Sequence, residues 1–289
     1  MDKNKLKKLS INLLKIVISI ALLYFVFTKI PFQEISELWK SINIFYLLLG
    51  AIFFLASQIV STKRLEKYFF ANGFNLSFKS NLELYFLGMF YNFFIPGGIG
   101  GDAYKVYILN KKFGWNSKKL TSSLFNDRLS GLLAICVLIL VFATQLSGFG
   151  DYIWLEIIGI IIGITATYFF TKKLFSQYKN IFLLTFLLSV LIQILQVVSF
   201  ILLLKSLGLE SNYTIYAIVF LSSSVLSLIS FAGIGVREML FLQASKYFDF
   251  NPNISVSASL LFTVITAFFS FFGVYFQLRK LNLKTTDEL

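Results

Sequence analysis

Long apolar runs, each closed by a short basic segment, set the pattern of this chain. One runs from about Ile11 to Ile30 behind a lysine-rich start (Lys3, Lys5, Lys7, Lys8). The next covers Asn43 to Thr62 and stops at Lys63 and Arg64. Further runs cover Thr121 to Leu146, Ile153 to Thr171, Ile181 to Leu204 and Ile254 to Gln277. An α-helix needs ~20 apolar residues to cross ~30 Å of hydrocarbon, so the pattern predicts six transmembrane helices. The first run lacks the short core and small-residue cleavage site of a signal peptide, and it reads as a span.

Two stretches break the pattern. Leu82 to Ile95 leads into Pro96-Gly97-Gly98-Ile99-Gly100-Gly101-Asp102, and a short arm, Asp102 to Asn110, leads out. That arm of about nine residues measures roughly 13 Å, under half of the hydrocarbon core. The same Gly-Ile-Gly recurs at Gly233 to Gly235 within Tyr213 to Phe248, followed by Arg237 and Glu238. Proline removes a backbone donor and glycine allows a sharply turned backbone. In lipid such backbone survives only where protein or a water-filled cavity satisfies it. Both stretches therefore predict re-entrant helical hairpins.

Composition agrees: hydrophobic residues are 57% and charged residues 14%, which leaves no polar segment for a soluble domain and predicts one membrane domain over 1–289. The net charge of +12 at first suggests nucleic acid, but its distribution excludes that partner. With the N-terminus cytoplasmic and both hairpins returning to the side they entered, eighteen of the 26 Lys and Arg fall on cytoplasmic segments. Only Lys29, Lys40, Lys205 and Lys246 fall outside. This positive-inside bias predicts a multi-pass cell-membrane protein with both termini cytoplasmic. It also makes 43–146 and 181–277 the same unit inverted, joined by the span at 153–171, with 11–30 as an extra N-terminal span. The expected fold is thus an all-α polytopic membrane protein: six full transmembrane helices plus two broken re-entrant hairpins in an inverted repeat.

The candidate chemistry gathers at the two turns. There is no His, and Cys136 lies in an apolar run. No metal-ligand cluster, catalytic triad or nucleotide motif appears, so no catalytic residue, metal or cofactor is assigned. Gly97, Gly98, Gly100 and Gly101 precede one short helix, and Gly233 and Gly235 precede another. Helix N-termini attract anions, although the same glycines would also allow close helix packing. Arg237 could grip a phosphate or pair with Asp102 or Glu238. Lys105 could join the site or reach the surface. Asp127 and Arg128 could line the substrate path or pair with the hairpins. Gln193 and Gln196 suit interhelical hydrogen bonds, and Ser223, Ser227 and Ser230 suit tight packing.

Asn92, the stretch Ile95-Pro96-Gly97-Gly98-Ile99-Gly100-Gly101-Asp102, the pair Asp127-Arg128, and Gly233-Ile234-Gly235-Val236-Arg237-Glu238 together resemble a known family. It is the lysylphosphatidylglycerol synthase transmembrane, or flippase-like, family, which includes the membrane half of the multiple peptide resistance factor. The resemblance covers nearly the whole chain. It implies re-entrant helices and movement of a phospholipid or lipid-linked anionic molecule between leaflets. No aminoacyl-transferase domain follows the last span, so synthesis of lysylphosphatidylglycerol itself is not expected. The reading is a transporter that holds a headgroup at two glycine turns near the midplane. The alternative is a membrane-embedded lipid glycosyl- or acyl-transferase, or an accessory subunit of one. A homo-oligomer and a separate lipid-modifying enzyme stay open as partners.

Overall fold

The computed structural model describes Tyr24, Thr28 and residues 32–94, 100–146, 153–211, 213–226, 235–248, 250–279 and 281–288. The first expected span (11–30, apart from Tyr24 and Thr28) and Pro96, Gly97, Gly98, Ser227, Ser230 and Gly233 lie outside the described residues. Those residues form helices α1 (Phe32–Lys40), α2 (Ile44–Phe70), α3 (Phe78–Phe94), α4 (Gly100–Phe113), α5 (Ser117–Ala143), α6 (Ile153–Leu174), α7 (Phe182–Ser206), α8 (Tyr213–Leu226), α9 (Val236–Ala244) and α10 (Pro252–Leu278). Five of them, α2, α5, α6, α7 and α10, are long and apolar enough to cross a membrane. The protein is an all-α polytopic membrane protein.

Three of the spans start on an asparagine cap. The Asn43 side chain accepts the Phe45 N–H at 3.0 Å. Asn116 accepts from Lys118 and Lys119, and Asn251 accepts from Asn253 just ahead of Pro252 in the first helical turn. Each side-chain oxygen satisfies an N–H that has no partner inside its helix. Two boundaries differ from the sequence reading. α2 continues two turns beyond Thr62, which carries Lys63 and Arg64 into the helix. α4 has 14 residues, because Gly100 and Gly101 lengthen it at the start and Lys111, Lys112 and Phe113 at the end. The amphipathic helix α1 was not foreseen. Its Ile35 is fully buried, and Asn253 of α10 donates to its Glu34 at 2.6 Å.

Ring contacts fix how the hairpins enter. Phe74, before α3, stacks on Trp115, after α4, at 4.7 Å, and Trp115 stacks on Phe113. The hairpin α3/α4 therefore enters and leaves by one end of the bundle. At the opposite end the Asn43 N–H bonds the Ser206 carbonyl, and Tyr216 of α8 meets Phe250, beyond α9, at 4.7 Å. The hairpin α8/α9 opens to that end.

The C-terminal segment straps the first end shut. The Ser77 N–H bonds the Lys284 carbonyl, the Thr286 N–H bonds the Asn75 carbonyl, and the Lys284 N–H bonds Ser80 Oγ. Leu283, 1% exposed, sits among Leu65, Phe69, Leu84, Leu109 and Leu124. Truncating a buried leucine removes transfer energy and leaves a cavity. Leu283→Ala is expected to cost about 2–4 kcal/mol, seen as a lower unfolding midpoint in detergent. Leu278→Ala, at a side chain 78% exposed, is expected to stay within about 0.5 kcal/mol.

Candidate functional site

Ser57, Ser61, Arg64 and Tyr68 occupy one face of α2 and meet α5 and α7. Arg64 is 7% exposed. Its Nε and Nη2 donate to the two carboxylate oxygens of Asp127 at 2.7 and 2.9 Å, and its Nη1 donates to Ser189 Oγ at 2.8 Å. Ser189 and Ser130 share a hydrogen bond of 2.6 Å. A two-pronged guanidinium–carboxylate pair fixes orientation as well as charge.

The first broken hairpin supplies the facing wall. Asn92 Oδ1 accepts the Gly101 N–H at 2.8 Å, so an α3 side chain caps α4 across the turn. α4 leans so closely on α3 that a Cβ on Gly101 would collide with the Gly88 carbonyl oxygen. Lys105 passes the bare face of Gly88, where a Cβ would lie 2.5 Å from its Cε. Lys105 is 4% exposed. Its Nζ lies 3.6 Å from Asp102 Oδ1 and 4.7 Å from the Tyr85 ring centre. Arg128 Nε donates to Asp102 Oδ2 at 2.5 Å.

These groups enclose a cavity of about 210 Å³ lined by Arg64, Tyr85, Met89, Asn92, Asp102, Lys105, Leu124, Asp127 and Arg128. Three cations face two carboxylates. Each carboxylate is bound to an arginine, so the Lys105 charge is the surplus. In a low-dielectric interior a net excess of one positive charge attracts an anion. Arg64 lies about 9 Å from the end of α2, at 1.5 Å per residue. The cavity therefore sits nearer the end of α2 than its middle, on the side of the bundle by which α3/α4 enters.

The structure thus brings together Asn92, Asp102, Lys105, Asp127 and Arg128 around the start of α4 at Gly100 and Gly101. Lys105 is buried in the cavity and does not reach for the surface. Arg128 pairs with the hairpin, whereas Asp127 pairs with Arg64 of α2. Arg64, Tyr85 and Ser189 were not singled out in the sequence. Gln196 donates across to Ser57 at 3.5 Å, while Gln193 Oε1 is buried without a donor among the described residues. Among the described residues no group of three or more carboxylate or thiol side chains could hold a metal ion.

Gly235, Arg237 and Glu238 lie in the other hairpin and do not line this cavity. Gly235 adopts φ 84°, a backbone conformation that glycine accepts without strain. Its N–H donates to Glu238 Oε2 at 2.8 Å, and Ser259 Oγ donates to Glu238 Oε1 at 2.7 Å. Glu238, fully buried, caps its own helix. Arg237 lies between the rings of Phe220 and Phe262, 5.4 and 4.9 Å from their centres, and its Nε donates to Ser223 Oγ. Among the described residues no carboxylate approaches its guanidinium within 4.0 Å. The ion pair with Asp102 or Glu238 that the sequence suggested is therefore replaced by contact with two aromatic faces.

The profile of the family described as Lysylphosphatidylglycerol synthase TM region matches residues 12–176 and 169–273. Comparison with curated proteins gives no match.

Proposed function

Since the chain belongs to the lysylphosphatidylglycerol synthase TM-region family, we propose that it moves a phospholipid or lipid-linked anionic molecule between leaflets, with the headgroup phosphate in the cavity between α2, α3, α4 and α5. The surplus Lys105 charge carries this reading. A phosphodiester bears one negative charge and would bring the cavity to neutrality, while the acyl chains stay in lipid. The cavity is built from rigid ion pairs, Arg64 with Asp127 and Arg128 with Asp102, so the ammonium group is presented rather than folded away.

The helix pairings support reading the two halves as inverted units. α2 packs along α7. α3 packs on α10 as α8 packs on α5, and α4 packs on α5 as α9 packs on α10. Exchanging 43–146 for 181–277 maps α2–α7 onto itself, α3–α10 onto α8–α5 and α4–α5 onto α9–α10. Rocking of one unit against the other would then expose the cavity to each leaflet in turn. The basic loops on the end where α3/α4 opens support reading that end as the cytoplasmic one.

The test is dithionite quenching of fluorescent phosphatidylglycerol in vesicles carrying the purified protein. Protein-containing vesicles are expected to expose the inner-leaflet probe far faster than empty ones. Lys105→Met is expected to slow this roughly tenfold, the effect of losing ~1.4 kcal/mol of charge-assisted binding. Equal rates with and without protein would overturn the proposal. Turnover of a lipid donor in detergent, where leaflets do not exist, would favour the transferase reading.

A further inference from the structure

A second cavity, of about 410 Å³, lies at the strap end of the bundle, lined by Ser77, Lys79, Ser80, Glu83, Arg279, Asn282 and Lys284. It is separate from the central one. Glu83 and Tyr85 are two residues apart on α3 and so point to opposite sides of the helix, Tyr85 to the central cavity and Glu83 towards α10. We propose that this second cavity binds the headgroup of a membrane glycerophospholipid whose phosphodiester carries a hydrogen-bond donor, an amine or a hydroxyl.

Three observations point to that chemistry. The first is charge. Lys79 and Lys284 are exposed, and no carboxylate among the described residues lies within 4.0 Å of either ammonium group. They flank the start of α3. The second is an unfilled acceptor. Glu83 is 5% exposed, and Arg279 Nη2 donates to its Oε1 at 2.6 Å. Its Oε2 is buried with no hydrogen-bond donor among the described residues. A phosphate alone would be repelled there, whereas a headgroup that ends in N–H or O–H supplies the missing donor beside its own phosphate. The third is the apolar flank. Next to Arg279, Leu278 is 78% exposed, and one and two turns back along α10, Tyr275 and Phe272 are 58% and 47% exposed. Acyl chains can lie on that flank while the headgroup enters the cavity.

The site also depends on the strap. Lys284 reaches the cavity because its N–H bonds Ser80 Oγ and because the neighbouring Leu283 is buried. A bound headgroup would therefore hold the strap to α3, the first arm of the central site.

The experiment titrates the detergent-purified full chain with dihexanoyl phosphatidylethanolamine, dihexanoyl phosphatidylcholine and glycerophosphoethanolamine by calorimetry. Phosphatidylethanolamine is expected to bind at least about tenfold tighter than phosphatidylcholine, whose quaternary ammonium cannot donate. The exposed pair Lys79→Ala/Lys284→Ala is expected to weaken that binding at least about tenfold, and Glu83→Ala to erase the preference between the two lipids. Should Glu83→Ala fail to fold, the lysine pair carries the test. The double variant Arg64→Leu/Asp127→Leu, which removes the buried pair as a whole, is expected to leave this binding unchanged, which separates it from the central cavity and from the transport proposal. Equal affinity for the two lipids, no effect of the lysine pair, or loss in that double variant would each overturn the site. Binding of glycerophosphoethanolamine as tight as that of the short-chain lipid would overturn the assignment to a membrane lipid.

Discussion

Asp127→Leu alone is expected to destabilise the fold by about 3–5 kcal/mol, and the double variant Arg64→Leu/Asp127→Leu to recover most of that loss. Arg64 is 7% exposed and spends two of its prongs on Asp127. Without the carboxylate, a buried guanidinium beside two other cations is left, among the described residues, with Ser189 as its hydrogen-bond partner. Water cannot reach it freely, and unlike lysine it cannot lose its proton. Removing both charges replaces the pair by apolar side chains of similar length, which in other buried pairs is close to neutral. Reversible unfolding in detergent, run as a double-mutant cycle, measures the coupling. A cycle with no interaction energy would show that the two side chains do not meet. The contrast with Asp102 sharpens the test. Its partner Arg128 has a side chain 44% exposed, so water can replace that contact. The buried Lys105 loses the carboxylate 3.6 Å away, but an ammonium group, unlike a guanidinium, can shed its proton. Asp102→Asn is expected to cost less, about 1–2 kcal/mol. The stabilised double variant is nevertheless expected to be inactive in the quenching assay, because the wall of the cavity has lost its charges.

Much of this architecture is legible in the sequence because membrane solvation leaves few alternatives. An apolar run longer than a bilayer core has to be helical, and Pro96 with its glycines cannot continue one. The same logic placed Asp102, Lys105, Asp127 and Arg128 near a shared site, since charges inside a bundle must face one another. Arg64 escaped it. Read along the chain, Lys63-Arg64 looks like the basic segment that ends a span, as Lys172-Lys173 does, and hydropathy cannot tell an anchor from a buried ion pair. What distinguishes Arg64 is its partner 63 residues away. One local signal was present: Ser57, Ser61, Arg64 and Tyr68 recur at helical spacing, a polar stripe on a helix otherwise built for lipid, which argues for burial against other helices. Arg237 misled in the opposite sense. A cation next to an acid reads as an ion pair, yet on a helix neighbours i and i+1 point apart. Glu238 turns back to cap Gly235, and Arg237 is left to the rings of Phe220 and Phe262. Lys105 shows a further limit. Its burial depends on Gly88 leaving space on the facing helix, a property of two residues in contact that neither shows alone.

Two glycine-to-alanine changes in one hairpin should therefore behave differently. Gly101→Ala is expected to lower stability by about 3 kcal/mol or to prevent folding. The added methyl meets the Gly88 carbonyl oxygen, and backbone cannot rotate aside, so α3 and α4 have to separate. That separation also breaks the cap from Asn92 and spreads the cavity wall. Gly88→Ala meets Lys105 Cε at 2.5 Å, the end of a flexible side chain. The fold is expected to hold to within about 1 kcal/mol, partly because alanine is the better helix former by a similar amount. The ammonium group, however, is pushed from its place beside Asp102 and over Tyr85. Transport is expected to fall in Gly88→Ala with the unfolding midpoint nearly unchanged, and to fall in Gly101→Ala together with the midpoint. Helix propensity alone predicts that both alanines stabilise. A stable, active Gly101→Ala would mean that α3 and α4 do not touch at this point. A fully active Gly88→Ala would mean that the position of Lys105 is immaterial, and the cavity would lose the one charge on which its reading as a phosphate site depends.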